Sequence, residues 1–307
     1  MGDFFFILGF LGILIAFSLS NGARLDGSLI TIDTPEQTSG YTEVITAPQQ
    51  TPAEKENRIA ELYQDLNTLK DEVRESKLWG TPSPYRDIVT LSQGSVWGTN
   101  PKEEYLTLQY AQDSGSDINI SDWYVESYVT RERAGIPEGD RVLEKWRSPQ
   151  YGNIILSPYD EALLITGDSP INVSFRENLC TGYLNDEKDF YPQLKERCTS
   201  PIDELKDHGK IRLDDDACYE FVQGLGTCEM PNARRMQDAN IGGRCENFID
   251  RTFEYDNCVL NHKSDPFFIR DGYWYIYFER DKELWRPERE IIRLFDGAGR
   301  VVDVLEY

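Results

Sequence analysis

Between Thr51 and Leu78 apolar side chains return at steps of three and four, at Ile59, Leu62, Leu66, Leu69 and Val73. That period predicts an amphipathic helix over 52–79 with an a/d seam of about three heptads. Thr51 is a suitable N-cap, Pro52 fits the first helical position, and Glu54 completes a capping box. Gly80 and the Pro82/Pro84 pair end the pattern. Two uses of the seam stay open. It is either a short coiled coil that makes a homo-oligomer through the Ile59–Val73 helix, or one face packed on the chain's own domain.

From Tyr85 the period changes to two. Ile88–Ser92, Tyr105–Tyr110, Asn119–Ser127, Glu161–Thr166 and Ile171–Phe175 are expected strands, separated by polar turns such as Gly98–Glu103 and Asp113–Asp117. Alternation of this kind suits antiparallel strands with one wet face. The pattern is then interrupted. Asp214–Cys228 carries Asp at its start and Gly near its end, and Arg244–His262 sets Cys245, Phe248 and Ile249 on one side; both are expected helices. Strand signals resume at Tyr273–Phe278, Glu290–Phe295 and Val301–Tyr307. The last two form a hairpin about the turn Asp296–Gly299. Because an isolated hairpin is marginal in water, it should complete the sheet begun at Ile88, giving one core.

The cysteines sharpen this division. All six lie in the interrupting segment, at Cys180, Cys198, Cys218, Cys228, Cys245 and Cys258, with no C-x-x-C pair to suggest zinc. They imply three disulfides in an oxidising compartment, in any of fifteen pairings. Phe4–Ser18 has neither charge nor proline. It is shorter than the roughly 20 residues of a comfortable span and suits the apolar core of a signal peptide, with Ser18–Ser20 as a cleavage site. The acidic Asp3 and the absence of Lys or Arg before it favour a retained anchor. A signal anchor over 1–20 and a cleaved leader both stay open. Residues 21–51, rich in Thr, Gln, Pro and Gly, are an extended linker. The chain is therefore expected to be membrane-anchored with an extracytoplasmic domain, or secreted if the leader is cleaved. The net charge of −22 over 307 residues speaks against nucleic acid and against an anionic membrane surface as ligands.

Val96–Ser127 holds an Asn-Pro, a Glu-Tyr followed by alternating residues, a polar turn and a Trp strand; Arg289–Tyr307 holds a Gly-containing turn before Val-Val-Asp. In this order the segments resemble the opening and the closing hairpin of a lamin-tail domain. The match covers roughly 84–175 and 266–307. Ser83–Arg86, Cys258–Phe268 and Glu283–Ile292 extend the resemblance to bacterial membrane-anchored proteins with a split lamin-tail domain. The resemblance implies an immunoglobulin-like β-sandwich over 80–307, mainly β, with an α-helical disulfide-rich insertion at 180–261. It also implies a binding or scaffolding role without a catalytic site. The insertion is a departure, since lamin tails lack it, and nuclear partners do not fit an exported chain.

Chemistry is sparse. His208 and His262 are the two histidines, and no G-x-S-x-G elbow or Walker loop accompanies them. No catalytic, cofactor-binding or metal-binding residue is expected. Asp214 and Asp216 suit a solvated helix start better than calcium, because the EF-hand Gly and distal Glu are missing. In Tyr273–Phe278, Tyr273, Tyr275 and Tyr277 share one face, opposite Trp274, Ile276 and Phe278. The tyrosines either pack beneath the helical segment or, exposed, stack on sugar rings. Asn119 and Asn172 stand in glycosylation sequons. The leading expectation is a non-catalytic extracytoplasmic interaction or scaffolding protein with a protein or cell-envelope partner. A carbohydrate-binding surface module and, less favoured, an acid-dependent hydrolase are the alternatives.

Overall fold

A computed structural model describes residues 51–97, 99–111, 115–207, 215–269 and 272–307. The apolar leader and residues 21–50 lie outside the described residues; among these, no helix is long and apolar enough to cross a membrane. Two compact units divide between Ala60 and Glu61. The described part of the first is the opening of α1 (Pro52–Trp79). The second holds the rest of that helix and every described strand.

The first strands are β1 (Val89–Ser95), β2 (Tyr105–Tyr110), β3 (Ile118–Asn119), β4 (Tyr124–Ser127) and β5 (Arg133–Gly135). Next come β6 (Gly139–Asp140), β7 (Tyr151–Gly152), β8 (Ile155–Leu156), β9 (Glu161–Ile165) and β10 (Phe175–Arg176). Short helices follow: α2 (Leu184–Glu187), α3 (Pro201–Asp207), α4 (Asp216–Gln223), α5 (Ala233–Asp238), α6 (Gly243–Asp250) and α7 (Tyr255–His262). β11 (Tyr273–Tyr277), β12 (Ile291–Phe295) and β13 (Val301–Glu306) come last.

Seven strands form one sheet in the order β1-β2-β9-β11-β10-β6-β7, and four form another, β13-β12-β4-β5. The β3–β8 pair is a third, small ladder. β11 enters between β9, its parallel neighbour, and β10, so the strand that follows the helices is central to the sheet that precedes them. The β12–β13 hairpin differs from expectation. It joins β4 rather than the sheet begun at Ile88, with Ile292 to Phe295 of β12 paired against Ser127 to Tyr124 of β4. The reason is burial. Ile292, Leu294 and Val302 hide their apolar faces by packing against Val89, Leu106, Leu108 and Leu164 of the larger sheet. The Leu91 amide also donates across the layers to Asp303 Oδ2 at 2.6 Å.

The central strands are covered on both faces. In β11, Trp274 and Ile276 face the smaller sheet, while Tyr275 and Tyr277 face the helices; in β9, Leu164 and Leu163 divide likewise. The helices thus lie over the larger sheet's outer face, and their core includes all six cysteines. Asn119–Ser127 is broken between β3 and β4, where Asp122 takes φ +70° and Trp123 turns inward to meet Tyr85. Ile171–Phe175 yields strand only from Phe175, because Asn172 at φ +59° turns the chain before it. Arg244–His262 is two helices. Phe253 occupies the break and packs edge-on against Phe248. The sequence pattern had no signal for α2, α3 or α5.

Candidate interaction surface

Helix α1 begins with its capping box formed. The Thr51 amide donates to Glu54 Oε2 at 2.7 Å, and the Glu54 amide donates back to Thr51 Oγ1 at 3.3 Å. No α1 residue is buried, and the seam residues Ile59, Leu62, Leu66, Leu69 and Val73 are 45–57% exposed. The last turns are anchored: Arg74 pairs with Glu306 of β13, and Arg86 stacks 3.8 Å over the Trp79 ring. After Gly80 at φ +49°, the Val301 amide at the start of β13 donates to Thr81 O and the Ser83 amide donates to Val301 O. A groove of about 260 Å³ runs beside this end, lined by Lys70, Val73, Arg74, Lys77, Leu78, Tyr128 and Ile291. The apolar stripe of α1 thus stays exposed along a helix whose last turns are tied to β13.

No protein-family model, curated protein or solved structure matches this chain.

The cysteines are brought together as Cys180–Cys258, Cys198–Cys228 and Cys218–Cys245. The first ties the start of the helical block to α7; the third ties α4 to α6. Gly182 is required here, since a Cβ at that position would lie 2.2 Å from Cys228 Sγ. The tyrosine face of β11 is covered by the block: Tyr275 stacks on Phe175 at 5.3 Å, Tyr273 is half-buried beneath Lys195, and burial raises all three phenols. This row offers no exposed platform for a sugar. Both sequon asparagines, Asn119 and Asn172, are exposed.

His208 and Asp214 lie outside the described residues. Asp216 opens α4, whose cap is Asp215, its side chain accepting from the Cys218 amide at 3.1 Å. Among the described residues no group of three His, Cys, Asp or Glu side chains is arranged to hold a metal. His262 closes α7 and is buried. Its Nε2 meets Glu204 Oε1 of α3 and its Nδ1 meets Asp265 Oδ2, each at 2.7 Å. The hydrogen bond to Glu204, with that to Asp265, outweighs burial and pushes the imidazole up to about 9. At neutral pH it is an imidazolium clamped between two carboxylates, a bolt from α3 to α7.

The sequence reading missed the buried carboxylates, which fasten loops. Glu290 accepts from Ser127 Oγ and the amides of Val129, Arg286 and Ile291. Glu104 accepts from the Leu284 amide, and burial raises its pKa. Burial pushes Glu126 up, but Arg293 and Arg133 prevail and hold it low. Asp160 braces the Ser157 amide and Arg176 beside Gly272, where a Cβ would fall 1.5 Å from its Oδ1. Nothing in the one-dimensional pattern separates these acids from the exposed ones.

Proposed function

We propose that this chain is a non-catalytic, extracytoplasmic interaction or scaffolding protein. In this reading it carries an immunoglobulin-like domain of the lamin-tail kind and is tethered to a membrane through its N-terminal segment. The observation that carries the reading is that all six cysteines are joined in three disulfides within one helical block. Disulfides of this structural kind persist in oxidising compartments. Two facing sheets closed by the β12–β13 hairpin support the domain assignment, since the residues that carry the resemblance, from Glu104–Tyr105 to Val302–Asp303, lie in or beside those strands. The use of buried acids as loop fasteners, and of His262 as a bolt, supports a role in holding rather than reacting. The 21–51 linker and α1 then act as a stalk that sets reach.

Topology tests it. Protease applied to intact cells producing the chain should digest the β domain from outside, leaving an N-terminal fragment in the membrane fraction. Non-reducing mass measurement should give a chain lighter by six hydrogens than the reduced form, one pair per disulfide. A protease-protected, soluble chain with free thiols would overturn the assignment. Oxidised chain in the medium would keep the compartment and remove the tether.

A further inference from the structure

We propose that α1 joins a second copy of this chain as a parallel, in-register, two-stranded coiled coil. The inference rests on the helix alone and is independent of the compartment and the tether. Ile59, Leu66 and Val73 occupy a positions, and Leu62 and Leu69 occupy d positions; all five are exposed. Two of the three a residues, Ile59 and Val73, are β-branched, and β-branched residues at a with Leu at d favour two parallel strands.

The flanking charges select the same arrangement. In parallel helices a g residue faces the e residue five positions further along the partner. Asp65 at g then faces Lys70 of the second copy, and Glu72 faces Lys77, with both pairs repeated by symmetry. Lys70 and Lys77 are exposed. Other arrangements are worse. Sliding the helices by one heptad sets Arg58 against Lys70 and strands two apolar layers of each helix. In antiparallel helices g faces g. The register pairing Ile59 with Leu69 sets Asp65 against itself and Val73 against Lys55; the next sets Asp65 against Glu72 and Ile59 against Ser76. The parallel in-register pair fills all five layers without a like-charge contact. It places both β domains at the C-terminal end of the paired helices.

The test uses full-length chain in detergent with its disulfides intact. Sedimentation should give twice the chain mass, and Leu66→Asp should give the monomer. Leu66→Cys and Val73→Cys should each cross-link to themselves under mild oxidation, while the outward-facing Thr68→Cys should not. Lys70→Glu with Lys77→Glu should weaken the dimer roughly ten-fold, and mixing with Asp65→Lys/Glu72→Lys chain should restore it as a heterodimer. A mass of one chain or three overturns the proposal. So does a self-cross-link at Asp65→Cys without one at Leu66→Cys, which is the antiparallel signature.

Discussion

On one side of β9 and β11, Leu164, Trp274 and Ile276 pack with Leu106 and Leu108 against Val125, Ile292, Leu294 and Val302 of the smaller sheet. On the other side, Leu163, Ile165, Tyr275 and Tyr277 lie beneath helices of eight residues or fewer and three disulfides. The first core has no cysteine; the second has all six. The difference follows from what each element can hold unaided. Strands paired across the molecule lend one another every ladder hydrogen bond, whereas helices shorter than about 12–15 residues are marginal in water. The sheets hold by pairing and packing. The helical block holds by covalent closure, with His262 as an ionic bolt.

Removing the longest closure should have the largest effect. Cys180→Ala with Cys258→Ala releases a loop of 78 residues and should cost about 4–5 kcal/mol in urea unfolding. A loss below about 1 kcal/mol would mean the block packs well enough without it. Adjacent residues of β9 then separate the two cores. Leu163→Ala and Leu164→Ala should each cost about 3 kcal/mol. Hydrogen exchange should accelerate first in the helices for Leu163→Ala and first in β12–β13 for Leu164→Ala. Identical exchange patterns would merge the cores into one.

Smaller effects test the polar fasteners. Glu290→Ala, which leaves several buried donors unmet, should cost about 2–3 kcal/mol and loosen the β4–β12 pairing seen by exchange. The His262 bolt has a definite sign. Its folded pKa, about 9, lies above its unfolded value of 6.5. Its contribution is therefore complete below pH 6.5 and is lost as pH rises through 9. Allowing for the half-exposed Asp265, that loss should be about 2 kcal/mol. His262→Gln should flatten the pH dependence over that window, and an unchanged profile would remove the bolt from the account.

How much of this was legible differs between the two cores for the same physical reason. Tyr105–Tyr110 announces itself because period-two alternation is a local signal that the sheet enforces along the whole strand; Val301–Glu306 shows instead as a β-branched run after a Gly-containing turn. The burial of Tyr275 and Tyr277 was one of two readings left open by their shared face, and only the covering helices decide it. The block is less legible. Leu184–Glu187 and Pro201–Asp207 are too short to show a period, and the break at Phe253 is made by packing on Phe248. Six cysteines do not name their partners, since pairing depends on which helices cross. The exposed seam of α1 was visible as a seam, though the sequence could not choose between an outer partner and the chain's own domain. Glu204, Glu290 and Glu104 gave no sign among 54 acids.

The most direct measurement is hydrogen exchange on the fully oxidised and fully reduced protein under native conditions. Reduction should strip protection from 180–262 while β4, β12 and β13 keep theirs. Undiminished protection of the helical block in the reduced protein would contradict the division, as would loss of the β12–β13 hairpin in step with it.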